Sequence, residues 1–396
     1  MEEQIATPYA YYRGGTSKAA IVLRKDLPVS NQADLDAWIL AIYGSPDRRQ
    51  IDGIGGADIL TSKFAVVGPP TRPDADVDYS FFQVDIRSPA VLRDLNCGNI
   101  SAAIGPFAID AGLVAAVDST TPVRIHATNF GKIIHASVPV LNGRARVSGD
   151  TSIDGVPGTG APIVLDFRDT VGGITGKLLP TGNAMDTVMV EGVGPIQMTI
   201  IDLANLVCYV KAESLGLQGN EDPLVLASNM ELMERCERIR LTAAVMLGMR
   251  PDISTALRQP SPTPWLSIVS PPQAWPDFAT GKPHEKHECD ISARLYTRRN
   301  IHKAYPGTGS ACLGAAVRIP GSVPWQLVSK SLESAMPLRI GHPCGVLDVT
   351  ARVQTDAFGG LKVEQASFIR TARRIADGHV YAPTSRLPWL HAATTA

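Results

Sequence analysis

No apolar run in this chain of 396 residues reaches the length of a membrane span, and no block of lysine and arginine stands out. The first absence excludes a helical integral membrane protein. The second leaves nothing to attract a nucleic-acid backbone or an anionic bilayer. Charge is sparse, 19% of residues, and balanced at 37 basic against 38 acidic side chains, for a formal net charge of −1. The opening Met1-Glu2-Glu3-Gln4 lacks the basic-then-apolar order of a secretion signal. Six cysteines (97, 208, 236, 289, 312, 344) are scattered without a tight framework, in a chain large enough to bury cores without staples. The expectation is a cytoplasmic, reducing setting with free thiols. Several catalytic signatures are missing too. There is no Gly-x-Ser-x-Gly elbow and no pair of carboxylates at catalytic spacing, so serine-hydrolase and glycosidase readings gain nothing.

What is present is a chain that is 44% hydrophobic with 35 glycines and 30 prolines, which implies many turns and short strands with a few longer helices. The length suits two domains. A short helix is expected after Ser30-Asn31, with Leu35, Trp38, Ile39 and Ile42 on one face and Gly44 closing it. A buried helix is expected from about Gly98 to Gly112, with Gly105-Pro106 kinking it or starting a new turn. Residues 122–140 read as two strands around a turn at Asn129-Phe130-Gly131. Residues 196–210 read as strand, and a long helix follows with the stripe Leu232, Cys236, Ile239, Ala243 and Leu247. Residues 259–289 read as a loop rich in proline and histidine. The turn-rich segment 181–194 is the expected junction, giving domains 1–187 and 188–396, with the last strand able to return to the first.

A faint internal repeat supports two similar halves. In each, a helix of small residues (98–112; 309–317) is followed by a spacer and a hairpin opening Pro-x-Arg-Ile, at Pro122 and at Pro337. Small residues let backbone pack closely around a helix, so each helix is expected to be wrapped by sheet. The fold class is α+β.

Polar and glycine residues concentrate beside apolar runs in four places: Tyr12-Arg-Gly-Gly-Thr-Ser-Lys18, Asp52-Gly-Ile-Gly-Gly-Ala-Asp-Ile-Leu-Thr-Ser-Lys63, Asn96-Cys-Gly-Asn99, and Thr308-Gly-Ser310 with Gly341-His-Pro-Cys-Gly345. Gly14-Gly-Thr-Ser-Lys18 has the wrong order for a phosphate loop, and Gly53-Ile-Gly-Gly fails the dinucleotide spacing. These loops are either tight turns or anion-binding concavities of backbone N–H groups. Cys97 lies just before a helix start, where free N–H groups and the helix dipole favour a thiolate or hold a carboxylate; the plainer alternative is a buried small residue. Lys63 heads an apolar strand and is either a solvated strand end or, in a closed cleft, a neutral amine able to act as a base. His284, His287 and Cys289 suit zinc by type but lack a fourth ligand at a telling spacing, so no metal is expected. Cys208, Cys236 and Cys312 fall in core positions.

These residues carry a resemblance. The chain resembles the methylaconitate isomerase (PrpF-type) family, which includes aconitate, methylitaconate and oxalomesaconate isomerases. The likeness runs over nearly the whole chain. Its motifs are the segments 12–18 and 52–63, Asn96-Cys-Gly-Asn-Ile-Ser-Ala-Ala103, Thr175-Gly-Lys-Leu-Leu-Pro-Thr-Gly-Asn183, His302 with Ala304, Thr308-Gly309, and Gly341-His-Pro-x-Gly345. The resemblance implies a diaminopimelate-epimerase-like fold, with two domains each wrapping sheet around a central helix and the active site in the cleft between them. It also implies that Lys63 and Cys97 are the catalytic pair. The sequence departs from the pattern at Cys344, where the motif has serine, at Pro306-Gly307, and across 284–303.

The implied reaction is a cofactor-independent 1,3-allylic proton shift on a small unsaturated polycarboxylate such as aconitate or an alkylated aconitate. Arg13, Thr16, Ser17, Asn96, Asn99 and Thr308 are candidates to hold carboxylates. Gly55, Gly56, Gly98, Gly309, Ser310, His342 and Cys344 complete the expected substrate contacts. A two-base epimerase or racemase, and a non-catalytic accessory of an aconitase-like dehydratase, are the alternatives. No nucleic-acid or membrane partner is expected, and a homodimer is left open.

Overall fold

The computed structural model describes residues 2–392 except 94–96, 118, 262, 298, 330, 331, 333–335 and 356–358. The chain divides into two compact units, Met1–Leu165 with Arg370–Ala396, and Asp166–Ile369. The expected junction at 187/188 thus lies inside the second unit. The reason is local. The segment after 166 is tied to a strand of that unit through Asp202, whose carboxylate accepts from Ile174 N, Thr175 N and Thr175 Oγ1 at 2.9, 2.6 and 2.8 Å.

The first unit is built from β1 (Gln4–Gly14), β2 (Ser17–Leu23), α1 (Gln32–Tyr43), β3 (Lys63–Gly68), β4 (Val77–Val84), α2 (Gly98–Asp110), β5 (Thr120–Ala127) and β6 (Lys132–Leu141). β1 pairs antiparallel with β2, β2 parallel with β3, β3 antiparallel with β4, β4 parallel with β5, and β5 antiparallel with β6. The signals read for α1 operate as expected. Asn31 Oδ1 accepts from Asp34 N at 3.0 Å, and Gly44 ends the helix with φ +68°. Trp38, Ile39 and Ile42 pack on one face of the sheet with Ala20, Val22, Phe64, Val66 and Phe82.

Against the other face lies α2, touching β1, β2, β5 and β6. It is apolar all round and buried along almost its full length, the pattern of a helix with protein on every side. A Cβ on Gly105 would come within 2.6 Å of Val138 Cγ2, so strand β6 approaches the helix only because that position is glycine. Helix α2 runs unbroken through Pro106, where a kink or restart was expected. Gly105 explains this, because the clash between a proline ring and the preceding Cβ is missing. Burial of side chains such as Ile100, Ile104 and Phe107, each contributing about 1.5–3 kcal/mol, then offsets the lost hydrogen bond.

The second unit repeats the pattern. Its main elements are β7 (Gly194–Leu203), β8 (Asn205–Lys211), α3 (Met230–Met246), β9 (Trp265–Ser270), β10 (Ile291–Thr297), α4 (Gly307–Ala316), β11 (Leu338–His342), β12 (Gly345–Thr355) and β13 (Leu361–Arg370). The pairs β7/β8, β9/β10 and β11/β12 are antiparallel hairpin-like pairs, linked by the parallel contacts β8/β9 and β10/β11. That is the same alternation as in the first unit, with small-residue α4 in the place of α2. The chain then returns to the first unit as β14 (Ala372–Pro383), antiparallel to β1.

Two expectations need correction. Residues 196–210 form a hairpin, turning at Ala204 with φ +59°, a turn that carries no glycine or proline. The loop expected over 259–289 contains the fully buried strand β9, whose short apolar run is flanked by prolines. The stripe on α3 is as read, with Leu232, Cys236, Ile239 and Ala243 buried. Among the described residues no helix is long and apolar enough to cross a membrane.

Candidate active site

Strand alternation aims the key lysine. Phe64 faces α1, so its neighbours Lys63 and Ala65 face α2. Cys97 immediately precedes α2 as its N-cap residue, with extended backbone at φ −121°, and its thiol does not cap the helix. The two side chains meet, with Lys63 Nζ 3.2 Å from Cys97 Sγ. Both are buried, at 7% and 8% exposure. Lys63 Nζ also lies 5.9 Å from the centre of the Phe81 ring. The reading of Lys63 as a solvated strand end therefore fails, because its side chain points inward along β3.

The backbone under this lysine is held from several directions. The buried Tyr43 hydroxyl donates to the Lys63 carbonyl and accepts from Ala20 N at 3.2 Å. Gln83 Nε2 donates to the Ser62 carbonyl at 2.9 Å. Gln50, 1% exposed, accepts from Ser62 Oγ at 2.7 Å and from Ala57 N at 2.9 Å. It thereby ties the middle of the 52–63 segment to its end beside Lys63. A Cβ at Gly55 would overlap the Gln50 side chain, and one at Gly56 would overlap Thr61. These two glycines, expected to touch substrate, are thus required by packing. Neither Gln50 nor Tyr43 was singled out from sequence, and neither sits in a motif that could have flagged it.

Around the start of α2, Asn99 Nδ2 donates to Thr16 Oγ1 at 2.9 Å and reaches Ser17 Oγ at 3.4 Å. Thr16 is half-buried and Ser17 fully buried, while Gly98 is buried in the first turn. Arg13 Nη1 donates to the carbonyls of Gly15 and Thr371 at 3.0 and 2.9 Å, latching the β1–β2 turn. Burial, then repulsion from Arg373, moves its pKa down. Asn96 lies outside the described residues.

The corresponding positions of the second unit look different. Helix α4 begins after Pro306, the position that Cys97 occupies before α2. Thr308 Oγ1 accepts from Asn205 Nδ2, much as Thr16 does from Asn99. Gly309 packs under the Tyr305 ring, and the buried Ser310 hydroxyl is spent on the Gly307 carbonyl at 2.7 Å. Cys312 is fully buried inside α4, where burial pushes its thiol up to about 12. A second thiol at a helix start, which a two-base epimerase calls for, is therefore not present at α4. His342 is buried and its Nδ1 accepts from Cys344 N at 3.2 Å.

Cys344 Sγ lies 2.9 Å from the Lys303 carbonyl. Cys344→Ser should preserve that contact while shortening the side chain. We expect a changed KM or substrate preference and a kcat within about tenfold, since lost uniform binding raises KM alone. Steady-state kinetics on several unsaturated acids would check this. A collapse of kcat would make Cys344 a proton carrier.

The His284, His287 and Cys289 positions do not converge. His284 Nδ1 pairs with Glu288 Oε2 at 2.9 Å, His287 is exposed, and Cys289 is buried beside Ser292. Among the described residues no group of three or more His, Cys, Asp or Glu side chains has the geometry to hold a metal ion.

Comparison with known proteins identifies the family of the chain. Residues 4–383 match the family model described as PrpF protein. The chain belongs to the PrpF family. Within that family it is 45% identical over 387 residues to 3-methylitaconate isomerase of Eubacterium barkeri, covering 98% of this chain and 100% of that protein. It is 38% identical over 376 residues to (4E)-oxalomesaconate Delta-isomerase of Novosphingobium sp. (strain KA1), covering 95% and 97%. A crystal structure of methylitaconate-delta-isomerase superposes with TM-score 0.85 at 45% identity, covering 98% of each chain. A hydroxyproline epimerase from Agrobacterium vitis superposes with TM-score 0.53 at 11% identity, covering 96% and 93%, which shows a shared epimerase-like fold. This PrpF-family chain is an isomerase.

Proposed function

We propose that the protein catalyses a 1,3-allylic proton shift on a small unsaturated polycarboxylate, with Lys63 and Cys97 as the proton carriers. The observation that carries the reading is the buried contact of 3.2 Å between Lys63 Nζ and Cys97 Sγ. One group must accept a proton while the other gives one, and an amine in contact with a thiol supplies groups of both kinds. As a neutral amine, Lys63 takes the proton from the carbon beside a C=C–COO⁻ unit. The C–H electron pair moves into the conjugated system as a dienolate, and Lys63 becomes an ammonium. Cys97 protonates the far end of the allyl unit and becomes a thiolate. The ammonium then returns a proton to the thiolate across their hydrogen bond, which resets both groups; in the reverse direction the roles exchange. The substrate's own conjugation accepts the electrons, and preorganised N–H and O–H donors near the start of α2 stabilise the oxyanion.

Substrate class follows from the relatives, whose names denote isomerases of unsaturated acids, namely 3-methylitaconate and (4E)-oxalomesaconate. The free cysteines among the described residues suit a reducing, cytoplasmic setting.

The test is proton NMR of the purified protein in D2O with a panel of unsaturated di- and tricarboxylates. At least one acid should lose allylic protons to deuterium and convert to its positional isomer. This should require no added cofactor and survive exhaustive chelation. If no acid in the panel exchanges or isomerises, the reading fails. Activity lost to chelation and restored by zinc would reject its cofactor-independent form.

A further inference from the structure

We propose that Arg370 is a positioning residue that sets the direction of a hydrogen-bond chain, Arg370 to Asn99 to Thr16, so that the Thr16 hydroxyl offers its proton to a substrate carboxylate. This rests on the polycarboxylate reading above and names the device that would recognise the anion.

Arg370 ends β13 and opens the segment through which the chain re-enters the first unit. It is 7% exposed, and its Nε lies 3.2 Å from Asn99 Oδ1. A guanidinium has donors and no acceptor. Burial, opposed by the charge of Asp154, pushes its pKa down to about 10, so it remains a cation at neutral pH. Only the carbonyl oxygen of the Asn99 amide can face it, which decides an orientation that the amide alone would leave ambiguous. The amide nitrogen is then turned toward Thr16 Oγ1 at 2.9 Å and Ser17 Oγ at 3.4 Å. That nitrogen is a pure donor, so the Thr16 oxygen must accept, and its hydroxyl proton is directed to some other acceptor. A carboxylate has acceptors only and requires such a donor.

The local backbone is built to permit this contact. Gly15 sits at φ +51°, and a Cβ there would overlap the Asn99 amide and lie 3.2 Å from Arg370 Cδ. Gly15 N donates to the Thr371 carbonyl at 2.9 Å, latching the turn to the residue after Arg370. Thr16 is half-buried, whereas Ser17 beside it is fully buried.

Asn99→Asp is the informative change. It is nearly isosteric and keeps its bond to Arg370 as an ion pair, but the introduced carboxylate can only accept. Thr16 would then donate to that carboxylate and turn lone pairs toward the ligand. Binding would be measured by calorimetry with propane-1,2,3-tricarboxylate, a saturated acid that cannot undergo the allylic shift. We expect the unmodified protein to bind it. Asn99→Asp and Arg370→Met should each weaken binding about 10- to 100-fold, the loss of one charge-assisted hydrogen bond. Arg370→Lys, which keeps the charge and the donors, should stay within about threefold. Thr16→Val should weaken binding as Asn99→Asp does, and the double variant should lose no more than either single one, because both remove the same donor.

Additive losses, unchanged binding in Asn99→Asp or Arg370→Met, failure of Arg370→Lys to rescue, or no binding by the unmodified protein would each overturn the proposal. A general loss of fold would appear as additive losses and no lysine rescue. If the binding pattern holds while no unsaturated acid is isomerised, the reaction reading fails and the anion relay stands.

Discussion

Lys63→Met and Cys97→Ala are each expected to lower kcat by about 10²–10⁴-fold while the fold stays intact, the usual loss when a positioned acid or base is removed. The fold should survive because neither side chain supports the structure. The Cys97 thiol does not cap α2, and Lys63 is anchored through its backbone carbonyl, which Tyr43 holds. The double variant should be hardly worse than either single one. Both proton carriers serve one cycle, and once one is missing the other has no partner to complete it. Cys97→Ser should behave like Cys97→Ala, since a hydroxyl is far too weak an acid to replace the thiol. Turnover followed by NMR, with circular dichroism as the control for folding, measures all four. Near-normal kcat in either single variant, with every acid that is turned over, would remove that residue from the mechanism.

Arg240→Met is expected to destabilise the second unit by about 3–5 kcal/mol, the cost of leaving a buried charge unpaired. Arg240 is fully buried on α3 and makes two bonds to Glu237, at 2.6 and 2.9 Å. It also donates to the Ser261 carbonyl at 2.6 Å, which ties the helix to the loop before β9. The Tyr296 hydroxyl donates to the same carboxylate at 2.8 Å. Burial alone would raise the Glu237 pKa, but the hydrogen bonds and charge of Arg240 outweigh it, and the net direction is down. A depressed carboxylate pKa contributes stability above the unfolded-state value, about 4.3. That contribution is lost as pH falls through the lower folded-state value. The urea midpoint should therefore fall on acidification in the unmodified protein, and less steeply in Glu237→Gln. Replacing both partners, as in Glu237→Leu with Arg240→Met, should cost much less than Arg240→Met alone. Equal midpoints for Arg240→Met and the unmodified protein would contradict this account.

Local chemistry made a good part of the molecule legible. Asn31 and Gly44 bracket α1 because a cap and a left-handed terminator act over three or four residues. The small-residue helices α2 and α4 could be recognised as wrapped because only glycine, alanine and serine let strands come so close. Their repeated order anticipated the matching strand alternation of the two units. The hairpin turn at Ala204 was not legible, since alanine rarely takes a positive φ and nothing in the residue itself signals it. The return of the last strand to the first unit was expected, but its pairing with β1 was not legible, since the two strands lie at opposite ends of the chain.

The sequence by itself determined the local settings of the two candidates, Lys63 on an apolar strand and Cys97 before a helix, and the small-residue pattern that demands a wrapped fold. It determined them because period-2 alternation, helix capping and side-chain size are local properties. Only the tertiary structure decided that the amine and the thiol touch, at 3.2 Å, and that Gln50, Tyr43 and Gln83 hold the lysine in place. Only it brought Arg370 to Asn99 across 271 positions of chain. A hydrogen bond is specified by distance and direction in space, and neither is written in the spacing of two residues that the fold brings together from opposite ends of a domain.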